Sequence, residues 1–132
     1  MKRFEPVYKE LDTLFIHKLP EYIEKINKEH NDGLILKPFQ NTKLDGDCLN
    51  LPCFKFKIEE SEYSEKDRII ESLIFTVSFE IKLQQNITEP VIVLWRYVES
   101  VKRLLFEEEY NAWIHAEIIK TQNQKIIIKL SI

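Results

Sequence analysis

The sequence predicts a two-layer α+β sandwich: a mostly antiparallel sheet of four to five strands with two main helices packed on one face. Three observations carry this. Apolar residues recur at three- and four-residue steps in two stretches, one near the N-terminus and one over about 89–109. They recur at period two elsewhere, most plainly from Leu73 to Leu83. The order is helical stretch, strands, helical stretch, closing strand pair, so each apolar stripe and each apolar face must find cover in the other layer. At 132 residues the chain reads as a single α+β domain, 1–132, long enough to bury its own core.

In the first stretch Leu11, Leu14, Phe15, Leu19, Tyr22, Ile23 and Ile26 form one stripe. Pro20 removes a backbone donor and clashes with the preceding turn, which predicts one helix over about 5–19 and a second over about 20–30. Asn31-Asp32-Gly33 is a stop signal with Gly33 at the C-cap. Leu34-Ile35-Leu36, before Pro38, reads as a short strand, and the polar residues 40–52 with their Asp45-Gly46 pair read as a loop. Phe54, Phe56 and Ile58 alternate with Lys55, Lys57 and Glu59, which predicts a half-buried strand followed by an exposed acidic loop over 59–68.

Leu73, Phe75, Val77, Phe79, Ile81 and Leu83 then point one way along a long strand that belongs in the middle of the sheet. Gln84-Gln85-Asn86 ends it. Thr88-Glu89-Pro90 opens a helix over about 89–109, with a hydroxyl for the cap and proline in the first turn. Its expected buried stripe is Val91, Leu94, Trp95, Val98, Val101, Leu104 and Leu105, with Glu99 and Arg103 paired on the wet side. Strands over 112–121 and 125–132, joined by Gln122-Asn123-Gln124, close the chain.

Charge and composition exclude several functions. With 19 Lys+Arg against 22 Asp+Glu the chain lacks the concentrated basic face that nucleic acid requires, so no direct nucleic-acid partner is expected. No run of about 18 apolar residues predicts a membrane span, and Met1–Pro6 leads into no signal-peptide core. Gly33 and Gly46, the only glycines, cannot build a phosphate cradle, so no nucleotide cofactor is expected. Cys48 and Cys53 lack the further ligands that zinc needs and read as reduced, half-buried thiols, a local disulfide being the alternative.

Catalytic constellations are sparse. Asp67, Glu80 and Lys82 match the D-x12-E-x-K arrangement of small metal-dependent nucleases, where such residues hold a divalent ion and steady a water. Yet E-x-K arises on any amphipathic strand. His17, His30 and His115 have no metal-ligand spacing, and a Cys–His nucleophile pair would have to be built by the fold. Ser61, Ser64 and Ser72 lack a nucleophile-elbow context. No catalytic residue, metal or cofactor is assigned, and the chain is read as a non-enzyme. The sheet face bearing Ile74, Thr76, Ser78, Glu80 and Lys82, with Trp113 and Phe106 nearby, is where a partner would dock, and a peptide- or ligand-binding module is a further reading.

The succession of elements resembles a family. A first helix carries Leu19-Pro20-Glu21-Tyr22-Ile23; a polar loop follows; a long alternating strand, Leu73 to Leu83, leads into one amphipathic helix, Val91 to Phe106; and strands from Trp113 to Ile132 close the chain. This is similar to the tail terminator and tail completion (minor tail) proteins of tailed bacteriophages and prophages, over nearly the whole chain. The resemblance implies a structural, homo-oligomeric subunit without catalytic residues. Such a subunit forms a ring, usually a hexamer, that caps the tail tube and meets the head connector. It would be made in the cytoplasm of the bacterial host and carried in the virion tail. The family's glycine-bearing reaching loop has no counterpart here, since 40–52 and 59–68 are acidic and nearly glycine-free. Ring contacts join unlike patches. The expected contact residues are Glu59, Glu60, Glu62, Glu65 and Glu80 together with Lys55, Lys57 and Lys82.

Overall fold

The N-terminal stripe folds as one unbroken helical run. In the computed structural model, which describes residues 4–38, 51–84, 87–108, 113, 115–122 and 124–131, α1 spans Phe4–Asp12 and α2 spans Leu19–Glu29. Between them Thr13–Lys18 winds as a π-helical segment, and the Leu19 amide donates to the Leu14 carbonyl, five residues back. Pro20 explains it. The ring has no N–H for the Ile16 carbonyl and would collide with it in a regular α-turn; a widened turn clears the ring without breaking the helix. The stripe survives, with Val7, Leu11, Leu14, Phe15, Leu19, Tyr22, Ile23 and Ile26 all buried. The helix ends earlier than expected, at His30 in an extended conformation, and Gly33 follows with φ +81°, which its lack of a Cβ permits.

Residues 34–36 form no strand. Their backbone is held by side chains instead: the Leu36 amide donates to Asn27 Oδ1 at 2.7 Å, and Asn27 Nδ2 donates back to the Leu36 carbonyl at 2.9 Å. The Tyr97 hydroxyl donates to the Lys37 carbonyl at 2.7 Å. One asparagine amide thus supplies both groups that a neighbouring strand would have offered.

The sheet has four strands: β1 Cys53–Lys66, β2 Ile69–Lys82, β3 His115–Gln122 and β4 Lys125–Ser131. Their spatial order is β1-β2-β4-β3, antiparallel throughout, so β2 is interior as its length predicted. The expected loop over 59–68 is corrected. β1 runs on to Lys66 and turns through Asp67 and Arg68, both with positive φ (54° and 68°), a two-residue hairpin turn. The distal half of β1 has no apolar alternation to read, because its described side chains beyond Ile58 are exposed; backbone pairing with β2 holds it there. The register shifts between Ile58 and Glu60, leaving Glu59 as a bulge residue.

Helix α3, Pro90–Glu107, completes the helical layer. Two expectations about it are corrected. Thr88 does not cap it: the N-cap is Glu89 in a left-handed conformation, with no side-chain hydrogen bond. The buried stripe is Tyr97, Ser100, Val101, Leu104 and Leu105, whereas Val91 and Trp95 are exposed. Contacts with the end of α2 and the segment after it accompany this rotation. Arg96 binds Asp32, and Arg103 reaches Glu29 at 2.6 Å and Glu99 at 3.2 Å.

Between the layers, Phe54, Phe56, Leu73, Phe75, Val77, Phe79, Ile81, Ile126, Ile128 and Leu130 meet the helices. The Phe15 ring lies 4.6 Å from Phe79 centroid to centroid, and Phe54 lies 4.8 Å from Phe79. Cys53, fully buried at the start of β1, is disulfide-bonded and not the reduced thiol expected. Compartment speaks only to redox supply, while a short cysteine separation favours local closure; the other cysteine of the chain, Cys48, lies outside the described residues, as does the predicted loop from 40 to 50. No helix among the described residues is long and apolar enough to cross a membrane.

Candidate functional site

The face of the sheet turned away from the helices gathers most of the expected contact residues. Alternation along β2 puts Ile74, Thr76, Ser78, Glu80 and Lys82 there, opposite the buried set. Cross-strand rows follow from the register: Lys55, Glu80 and Lys125; Lys57, Ser78 and Ile127; Glu60, Thr76 and Lys129; Glu62, Ile74 and Ser131. Lys55, Lys57, Glu60, Glu62, Glu80 and Lys82 therefore share one surface. Glu59 joins them through its Oε1, which accepts the Ser78 hydroxyl at 2.8 Å. Glu65 lies apart, near the hairpin tip beyond a second register shift.

The charges on this face are interleaved and not sorted into an acidic loop and a basic strand. Lys57 Nζ stands 3.7 Å from Glu59. The Ser78 hydroxyl first, and then the Lys57 charge, hold the Glu59 carboxyl below its ordinary range. Glu60 is pushed the other way by its hydrogen bond to Glu62 and by that neighbour's charge. Lysines and glutamates that touch on one subunit satisfy one another in part, which weakens the expected complementarity of two separate patches.

The nuclease arrangement is not assembled. Asp67 sits in the hairpin turn while Glu80 and Lys82 lie at the far end of β2, about 40 Å along an extended strand. One ion cannot be reached from both ends. Among the described residues no three His, Cys, Asp or Glu side chains are grouped to hold a metal. Cys53, in its disulfide, offers no thiol to His115, whose ring stands 3.7 Å from Glu117 on the surface.

A second surface escaped the sequence. Between α3 and β3 lies a groove of about 550 Å³ lined by Trp95, Val98, Leu105, Phe106, Ala116 and Ile118, with Lys102, His115, Glu117 and Thr121 around it. Phe106 is 89% exposed, Trp95 54% and Ile119 48%. Phe106 thus belongs to this flank and not to the open sheet face, and Trp113 is buried. The groove borders a sheet edge, since β3 pairs only with β4 among the described strands. One signal was available: Val91, Ile92, Val93, Leu94, Trp95 and Val98 exceed the arc that one buried stripe can use.

No protein-family model matches the chain, and no curated protein matches it.

Proposed function

We propose that the protein is a structural assembly subunit of a phage or prophage tail, of the terminator or completion kind. It self-associates, in the hexameric ring that the resemblance implies, and docks to tail-tube and head-connector proteins. The observation that supports this reading is the α3–β3 flank. Two large aromatic side chains stand in solvent beside a strand edge that no other described strand pairs with. Contiguous apolar surface next to an open edge is costly to leave uncovered and is the kind of feature that marks protein contacts. The charged sheet face offers a separate surface where specificity is set by charge order. The work of such a subunit is geometric: it presents surfaces, and no bond is made or broken.

Light scattering and negative-stain imaging of the purified chain test the proposal. Defined oligomers or rings are the expected result. A monomer at high concentration, in both low and moderate salt, overturns it. The groove favours one second reading, a peptide-binding module, because its volume falls within the ~300–1,000 Å³ of ordinary ligand pockets. A monomer that captures an apolar peptide in the groove would point there.

A further inference from the structure

We propose that the α3–β3 flank pairs with the same flank of a second copy about a two-fold axis, β3 lying antiparallel to the second copy's β3, with Glu117 opposite Lys120 at both symmetric positions. The inference rests on the reading that the chain self-associates; it adds the surface and the symmetry.

On β3 the ladder shifts between Ile118 and Lys120, so Ile119 is a bulge residue, and Glu117 and Lys120 pair with Lys129 and Ile127 on the open face of the sheet. On β1 the bulge is Glu59, with Lys57 and Glu60 on either side. Each outer edge therefore carries one bulge flanked by opposite charges. Because strand directions alternate across the sheet, a copy added edge to edge with its helices on the same side of the sheet meets β3 antiparallel, whether it arrives with its β1 or its β3.

The two arrivals differ in charge. With the Ile119 bulge of each copy opposite Ile118 of the other, β3 against β3 sets Glu117 against Lys120 twice, His115 against Gln122, and Ala116 against Thr121. The head-to-tail alternative, β3 against β1, sets Glu117 against Glu60 and Lys120 against Lys57. Like charges directly opposite on neighbouring strands are destabilising, and opposite charges are favourable. A β1–β1 contact is also charge-matched, through Lys57 with Glu60 and Lys55 with Glu62. But among the described side chains none of the large exposed apolar ones lies on β1, whereas Trp95, Phe106 and Ile119 all lie on or beside the β3 edge. Aromatic anchors at the centre of a contact supply most of its affinity, and charge order sets its register.

A contact of this kind is isologous and joins copies in pairs.

Sedimentation equilibrium on the full chain decides the matter, using Glu117→Lys, Lys120→Glu, the double swap and Trp95→Ala, with circular dichroism to verify the fold of each. Each single charge variant should weaken association about tenfold, since it turns two favourable pairs into two repulsive ones. The double swap should recover it to within about threefold. Trp95→Ala should weaken it by about tenfold or more. The head-to-tail arrangement predicts the opposite for Glu117→Lys, which would then face Glu60 and tighten. Single variants that leave association unchanged or tighter, or a double swap as weak as the singles, overturn the two-fold contact while leaving self-assembly standing. A monomeric wild-type chain overturns both.

Discussion

Asn27 is the most informative position for testing how the helical layer is tied together. Its amide makes two hydrogen bonds, at 2.7 and 2.9 Å, to the backbone of Leu36, whose side chain is only 2% exposed. Asn27→Ala removes both. At a net ~0.5–1.5 kcal/mol per hydrogen bond the loss is about 1–3 kcal/mol, with the upper end applying if water cannot reach the abandoned groups. A domain of this size has about 5–15 kcal/mol in all, so urea unfolding followed by tryptophan fluorescence resolves the change. In thermal melts it corresponds to a fall of about 4–12 °C. Asn27→Asp gives a second test. At neutral pH the carboxylate still accepts from the Leu36 amide but faces the Leu36 carbonyl, so most of the stability is lost. Protonation restores a donor, so the introduced carboxyl has a raised folded pKa and the deficit shrinks as pH falls through it. An alanine variant within about 0.5 kcal/mol of wild type, or an aspartate variant whose deficit does not shrink with acid, would refute the account.

Three further outcomes are expected. Tyr97, whose hydroxyl donates to the Lys37 carbonyl, is pushed up to about 12 by burial. A raised folded pKa means its stabilising contribution is intact below about 10 and is lost as pH rises from about 10 to 12; Tyr97→Phe should cost about 1 kcal/mol at neutral pH and flatten that alkaline loss in denaturant titrations. The Asp32 carboxyl is held down at about 2 by its hydrogen bond to Arg96 and by the Leu34 amide, so its contribution is present above the ordinary aspartate pKa and lost as pH falls towards 2. Arg96→Met should remove much of that acid-limb dependence, read from melting temperature against pH. Phe79→Ala empties the centre of the Phe15–Phe54–Phe79 cluster and should cost about 3–5 kcal/mol in urea unfolding.

Elements written in apolar periodicity were legible. The stripe from Leu11 to Ile26 and the alternation from Leu73 to Ile81 bury the side chains that their spacing selects. Elements held by something other than apolar burial were not. The distal half of β1 exposes its described side chains beyond Ile58 and is kept in place by backbone pairing, so its sequence looks like a polar loop. Residues 34–36 look like a strand because they are apolar, but Asn27, distant in sequence, satisfies the backbone of Leu36. Pro20 announced a disruption without its form, since a kink, a break and a π-turn all relieve the same clash. The facing of α3 was ambiguous because its first turns are apolar nearly all round. Tyr97, anchored by its hydroxyl to Lys37, takes the buried position and turns Trp95 outward.

The interaction surface was harder to read than the fold for a related reason: composition gives the charges, but bulges decide which of them stand together. In strict alternation Lys55, Lys57 and Glu59 would share one face, while Glu60 and Glu62 would turn to the side of Phe56. The extra residue at Glu59 moves Glu60 and Glu62 onto the face of the lysines, so that the edge reads plus, plus, minus, minus. Ile119 does the same on the other edge and brings Lys120 onto the face of Glu117 instead of that of Ile118. Each edge thereby acquires an order that complements its own reverse and repels that of the other edge. A bulge adds no charge and buries little, yet on the proposed self-association these two would set whether copies meet like edge to like edge or head to tail. Substitutions that keep every Lys and Glu but straighten either strand should therefore change how the chain associates more than how stably it folds.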